Sequence, residues 1–322
     1  MPFRLGKLPP RLDPRTLQLA DYLRAPRNAS SGQGIGLPAK RALAPAPRSV
    51  DWTAKISSWP MFSNDTLGDC TTAAAAHMIQ CWTANAGDAF TPTNPQVIAA
   101  YSATGGYIPG DPATDNGAVE LDVLNYWRQQ GIAGHKIAAY VSFSAQNFEH
   151  TRAAINLFGG IYIGLALPLS AQNQDVWEVP SFISRLFSEA NGARQKWAKF
   201  LGGRSFSSDI TRSKSVRALA REDHAFRVES PTQDNPRGNT EPGSWGGHAV
   251  PILAYDSDAL TCITWGAKKR MTWDFFARYC DESYAPLSRD WLNAQGKDPQ
   301  GLDIAALQAD LRELTATAKS PQ

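Results

Sequence analysis

Two stretches of this 322-residue chain carry side chains that could do chemistry together. In NDTLGDCTTAAAAHMIQCW, residues 64 to 82, a polar, glycine-broken run ends in Cys70, and an alanine-rich helix follows at once. A helix N-terminus offers unpaired N–H groups and the positive end of the macrodipole. A thiolate is stabilised there, so a lowered cysteine pKa is expected, and the same amides can hold an oxyanion on a substrate carbonyl. Gly68 lets the backbone pass close to a substrate. Such a nucleophile needs a base, and SWGGHAVPILAYD, residues 244 to 256, offers His248. Its two glycines leave one flank of the imidazole open at the start of an apolar strand. Taken alone, Cys70 reads better as a small core residue, since free cysteine is often buried; the surrounding motifs turn the balance.

The remaining candidates have plainer readings. His77 lies two helical turns after Cys70, a gap of about 10 Å, too long for a hydrogen bond, and is expected to be a packing histidine. Cys81, three turns along the same face, is expected in the core, and Cys262 and Cys280 are expected to be packed. His135, His150 and His224 have no supporting context and read as surface polar residues. Asp69 fits a first-turn carboxylate favoured by the dipole. Trp245 and Trp265 read either as shields for the histidine or as structural residues. The four cysteines show no C-x-x-C pairing and no zinc spacing, so no metal and no cofactor are expected. Reduced thiols point to a cytosol-like compartment.

These residues must be positioned by an α+β arrangement. Residues 1–50 read as a basic, proline-rich arm, with nine Lys/Arg against two Asp/Glu and eight of the chain's 22 prolines. Within it, 16–23 fits two helical turns, and the rest should be extended. From SVDWT (49–53) the composition turns globular. Helices are predicted over 70–84, ended by Asn85 and Gly87, over 94–102 with Asn94 and Pro95 at its start, and over 118–130. Strands are predicted at 161–168, 248–256 and 260–266 from their β-branched and aromatic bias. Helices first and strands later is an α+β order and not a βαβ repeat. Residues 181–240, with eleven Lys/Arg against six Asp/Glu, read as an insertion: a solvated excursion or a lid. Residues 301–318 are predicted to form an amphipathic tail helix within a C-terminal helical segment, 291–322.

Composition bounds the partners. A net charge of +2 argues against nucleic acid as the main partner. No stretch approaches 18 apolar residues, so no membrane span is expected, and the N-terminal stretch lacks the apolar core of a secretory signal. A cytoplasmic protein, or one assembled into a particle in the cytoplasm, is the expectation.

The ordered set of motifs resembles the papain-like cysteine peptidases, in which a helix-starting cysteine pairs with a histidine that opens a strand. N-x-x-x-G-x-C-T, residues 64–71, is similar to the family's Q-x-x-x-G-x-C-W. GGHAVPILAYD is similar to DHAVxxVGY, and TWG (264–266) to the end of NSWG. The resemblance covers roughly residues 50–290 and implies a papain-like domain over 51–290. A helical half would carry the cysteine, and an antiparallel β-barrel-like half the histidine. It implies catalytic roles for Cys70 and His248, an oxyanion role for Asn64, and substrate binding at Gly68, Gly117 and Trp265. Three departures stand out. Asn64 is one methylene shorter than Gln, and Thr71 replaces an aromatic residue. The family's histidine-orienting Asn is missing, since Ile263 stands two residues before Trp265. Thr264 could slide into that role, because its hydroxyl can accept from an imidazole N–H.

The leading function is therefore acyl transfer by a cysteine nucleophile, as a peptidase or related thiol hydrolase acting on a peptide or protein. A bacteriocin-processing peptidase is a rival, though its D-P signature is absent. The alternative is a catalytically weak or inactive module of a large assembly such as a virion, docking through arm and tail helix. A third possibility makes residues 1–50 a propeptide. The arm's spaced hydrophobes, including Leu5, Leu8 and Leu12, suggest instead a strap that packs on the domain without plugging the Cys70 cleft.

Overall fold

The computed structural model describes residues 3–21, 46–180 and 238–291. The chain divides into two units, Met1–Glu178 with Pro242–Gln322, and Val179–Glu241. Of the second, the described part holds one 3-10 turn, Gly238–Thr240. The expected insertion and tail helix fall almost wholly outside the described residues.

The first unit is built on a central helix, α1 (Cys70–Ala86), in which every residue from Cys70 to Thr83 is buried. Most of its residues are apolar or small, and its larger polar members are held inside, His77 by the Pro60 carbonyl and Gln80 by the Ser58 carbonyl. Its four alanines let neighbouring backbones approach closely. Gly87, at φ 97°, ends it in the left-handed conformation that glycine adopts without steric cost. Helix α2 (Asn94–Gly105) is capped by Thr93 and not by Asn94 as expected: Gln96 reaches back to complete a capping box, with Pro95 in the first turn. Helix α3 (Glu120–Gln129) begins two residues later than expected. Trp82 of α1 and Trp127 of α3 stack at 5.4 Å within the core. Large aromatic pairs of this kind add about 0.5–1.5 kcal/mol beyond their area burial.

A sheet of nine strands among the described residues packs against α1. Its strands are β1 (Leu17–Gln18), β2 (Val50–Asp51), β3 (Ile137–Ser142), β4 (Ile161–Leu167), β5 (Val176–Trp177), β6 (Gly246–Tyr255), β7 (Ala259–Thr264), β8 (Ala267–Thr272) and β9 (Cys280–Ser288). The spatial order is β1-β3-β9-β4-β6-β7-β8-β5, with β2 also on β6. The path is open at β1 and β5, so the expected barrel-like half is a sheet that does not close. Helix α4 (Phe148–Phe158) precedes β4, and α5 (Trp273–Tyr279) links β8 to β9. No described helix is long and apolar enough to cross a membrane.

The arm differs from expectation. Where two helical turns were expected from residue 16, Leu17–Gln18 instead pairs in parallel with Val141–Ser142 of β3, followed by a short 3-10 turn. Leu19 is buried, but Leu12 is 92% exposed, and Phe3 and Leu8 are partly so. Polar contacts carry much of the attachment. Arg4 pairs with Asp115, Arg11 with Asp122, and Lys7 with Asp281 and Glu282.

Candidate functional site

Cys70 is the first residue of α1, and its thiol is buried against the start of β6. The backbone N–H of Ala249, the residue after His248, donates to Cys70 Sγ at 3.4 Å. His248 lies on β6 opposite Leu165 of β4, in a register fixed by seven β4–β6 pairs. Its Nε2 sits 2.7 Å from Thr264 Oγ1 at the end of β7, and its Nδ1 is buried with no hydrogen-bond partner. With Nε2–H donating to the hydroxyl, Nδ1 keeps a bare lone pair.

A tight hairpin delivers both Thr264 and Trp265. Thr264 pairs with Ala267, leaving Trp265 and Gly266 as a two-residue turn at φ 47° and 71°. Both values match the turn type whose twist suits a hairpin. Tryptophan there is strained by about 1–3 kcal/mol. Its contacts offset that cost: the indole stacks on His248 at 4.5 Å and 15° between planes, and Trp245 and Trp177 pack around it. Phe3 covers its other face at 4.3 Å.

Phe3 belongs to a segment that crosses the site. Gly6 C=O accepts from Ala118 N at 2.8 Å, and Leu8 N donates to Ala118 O at 3.0 Å, a parallel bridge. On the other side Lys7 N donates to Gly247 O at 3.1 Å. Gly6 is packed so closely that a Cβ on it would collide with Gly68 O, and one on Gly117 would collide with Gly6 O. The glycines expected to leave the imidazole flank open face Leu5 (Gly246) and Lys7 (Gly247) instead. The expectation that the arm leaves the Cys70 cleft unplugged is therefore wrong. Apolar spacing suggested a strap, but it was backbone groups and small residues that decided where the strap lies.

Closure sets the electrostatics. Burial pushes the Cys70 thiol up to about 12, against the smaller opposite pull of the Ala249 and Gly6 amides. Burial likewise lowers His248 to about 3. A thiolate at neutral pH, expected from the helix N-terminus, does not form in this closed state, because desolvation outweighs what the amides supply. Both are neutral, a thiol and an imidazole, and no hydrogen bond joins them in the closed state.

The other expected residues are placed as follows. Asn64 is buried six residues before Cys70, and its Nδ2 donates to Leu67 O at 3.2 Å. Gly68 N donates to Asp115 Oδ1 at 2.9 Å. Gly117, at φ 81°, donates to Tyr101 Oη, while the neighbouring Ala118 makes the bonds to the crossing segment. Asp69 is buried, and burial raises its carboxyl well above the usual range. His77 is the expected packing histidine, with Nε2 2.9 Å from Pro60 O between Trp59 and Phe62. Cys81 and Cys262 are buried, and no cysteine is in a disulfide among the described residues. No group of described His, Cys, Asp or Glu side chains is arranged to hold a metal ion.

Sequence reasoning missed Asp115 and the acidic group near Lys7. Asp115 accepts from Gly68 N, from Tyr101 Oη at 2.6 Å and from Arg4, so it ties the turn before Cys70 to α2 and to the crossing segment. Burial would raise its carboxyl, but these bonds outweigh it and hold it below the usual range. A lone Asp in DNG reads as a turn residue, so no local signal marked it. The D-E pair at 281–282 sits at a strand start and gave no signal either.

No protein-family model and no curated protein sequence matches the chain. Solved structures do. Xylellain, a cysteine protease from Xylella fastidiosa, is 14% identical with a TM-score of 0.52, covering 88% of this chain and 96% of its own. The bromelain protease from Ananas comosus is 12% identical over 75% of this chain and 99% of its own, with a TM-score of 0.42. ProCathepsin B S9 from Trypanosoma congolense is 10% identical over 88% and 86%, at 0.43. The likeness to xylellain carries the conclusion, which is one of fold: this chain has the fold of papain-like cysteine proteases.

Proposed function

We propose that the chain is a cysteine peptidase or related thiol hydrolase held closed by its own residues 3–8. The observation that carries this reading is His248 between two groups: Thr264 on Nε2, and a bare Nδ1 on the strand whose next amide reaches Cys70 Sγ. In the opened cleft Nδ1 takes the Cys70 proton and the sulfur attacks a carbonyl carbon. The imidazolium then protonates the leaving amine, and water releases the acyl group by the same relay. Thr264 keeps the imidazole oriented. The Cys70 amide at the start of α1 faces the developing oxyanion. Asn64 is the second donor once its amide turns from the Leu67 carbonyl. The division of labour is that of two halves, helix α1 carrying the nucleophile and the sheet carrying the base.

The crossing segment lies over Cys70: the Gly6 N–H acts on the thiol, while the Gly6 carbonyl is turned to Ala118.

One observation favours the second reading, a non-catalytic module of an assembly: the buried neutral pair, with the thiol raised and the imidazole lowered. The two readings separate in the full chain carrying Gly6→Val, whose side chain cannot fit against Gly68 O. On the peptidase reading this variant hydrolyses an unstructured protein or peptide library, and Cys70→Ser added to it abolishes turnover. Equal turnover with and without Cys70→Ser would rule the nucleophile out.

A further inference from the structure

Asp69, the residue before Cys70, is the most anomalous side chain of the site. It stands at the N-cap of α1, where an aspartate ordinarily accepts from an N–H two or three residues on. Here the side chain makes no capping bond. The Asp69 backbone carbonyl serves the first turn instead, accepting from Thr72 N at 3.0 Å, Ala73 N at 2.9 Å and Thr72 Oγ1 at 3.0 Å. The carboxyl is fully buried, and neither of its oxygens has a hydrogen-bond partner.

A buried polar group without a partner is costly, and an apolar side chain would fill the same place without that cost. What faces the carboxyl is the side-chain amide of Asn64, with the Asp115 and Asp65 carboxyls and the Cys70 thiol around it. Asp115 is taken up by Gly68 N, Tyr101 Oη and Arg4, and Asp65 is exposed. Asn64 is therefore the one neighbour with hydrogens to give. Its Nδ2 donates to Leu67 O at 3.2 Å, a long bond, and an amide nitrogen carries two hydrogens. Burial raises the Asp69 carboxyl well above the usual range, so it resists ionising. A neutral acceptor there sets no negative charge against a thiolate or an oxyanion.

We propose that Asp69 is the positioning residue of the oxyanion donor: when the Asn64 amide turns from the Leu67 carbonyl, the Asp69 carboxyl accepts one Nδ2 hydrogen and the other points at the oxygen of the attacked carbonyl. The inference rests on the peptidase reading above. Asn64 is one methylene shorter than Gln, so its amide has less reach and gains more from being aimed.

The test uses the full chain carrying Gly6→Val. Its kcat and KM are measured on one peptide that it cleaves from the library, and Cys70 alkylation by iodoacetamide is measured beside them. Displacement of iodide at a methylene carbon forms no oxyanion, so alkylation reports the thiol and the fold but not the donor. Asp69→Leu removes the acceptor and should lower kcat on the order of 10- to 100-fold, less than the loss of a whole oxyanion donor. KM and alkylation should change little. Asp69→Asn, whose Oδ1 still accepts, should recover most of the loss. Added to Asn64→Ala, Asp69→Leu should cost nothing further, since the donor it aims is already gone. If Asp69→Leu does not fold, Asp69→Ala is read in the same way. An undiminished kcat, or a loss that persists in full in the Asn64→Ala background, overturns the positioning role and leaves the nucleophile standing. So does a loss of alkylation that matches the loss of kcat, which would mark a structural residue. If the Gly6→Val chain cleaves no peptide faster than its Cys70→Ser form, both readings fall.

Discussion

At the scale of residues, the site depends on a substitution of hydrogen-bond chemistry. Thr264 offers a hydroxyl oxygen 2.7 Å from His248 Nε2, at a strand end where Ile263 offers nothing. A hydroxyl is a smaller and weaker acceptor than a carboxamide, so it orients the ring but stabilises an imidazolium less. Thr264→Val keeps the shape and removes the acceptor. Measured in the opened Gly6→Val chain, it is expected to lower kcat about 10- to 100-fold, roughly 1.4–2.7 kcal/mol of barrier, with little change in KM. Thr264→Ser should recover most of the loss. An unchanged kcat in Thr264→Val would show that the contact is packing alone. Trp265 adds the shield, and Phe3 extends it, so the imidazole is cut off from water on the face Trp265 covers.

At the scale of elements, α1 and β6 each bury a histidine whose charged form the fold cannot hold. Burial lowers His77 to about 4, the Pro60 carbonyl opposing it weakly, and lowers His248 to about 3. Unfolded, both take a proton near 6.5. Their contribution to stability is therefore complete above pH 6.5 and is lost as pH falls toward 4 and then 3, because the unfolded chain binds protons that the folded chain refuses. The two histidines should make thermal stability fall below pH 6.5, by on the order of 3 kcal/mol per group by pH 4, with the raised carboxyl of Asp69 opposing them. His77→Gln keeps a donor for Pro60 and should make the decline shallower; an unaltered acid limb would count against this assignment. These same elements show what the sequence disclosed. Cys70, Gly87 and the alanine run marked α1 because cap, composition and terminator agree locally. The pairing of Thr264 with His248 could be guessed from a hairpin one residue shorter. Strands β3, β8 and β9 and helix α4 were not anticipated, since β8 is largely exposed and lysine-rich, AKKRMT, and β9 is continuous with a helix. The open edge of the sheet is a property of pairing between distant strands, and no local pattern encodes it.

At the scale of the whole molecule, the arm is the element on which activity turns. Its spaced hydrophobes suggested a docking strap, and its glycine suggested nothing. Yet Gly6 fits between Gly68 and Gly117 because three positions lack a Cβ at once, a coincidence visible only in the assembled fold. Closed, the site is buried and uncharged. Opened, water and the α1 N-terminus are expected to favour a thiolate beside an imidazolium. The most direct test is the pH dependence of Cys70 alkylation by iodoacetamide, followed by peptide mass mapping, in the full chain with and without Gly6→Val. The native chain should react negligibly from pH 5 to 9, and the variant should react already near pH 6, with His248→Ala abolishing that low-pH reaction. A native chain that reacts as fast as the variant would contradict closure. A variant whose reaction rises only near pH 8.5, as for an ordinary thiol, would contradict the Cys70–His248 pair.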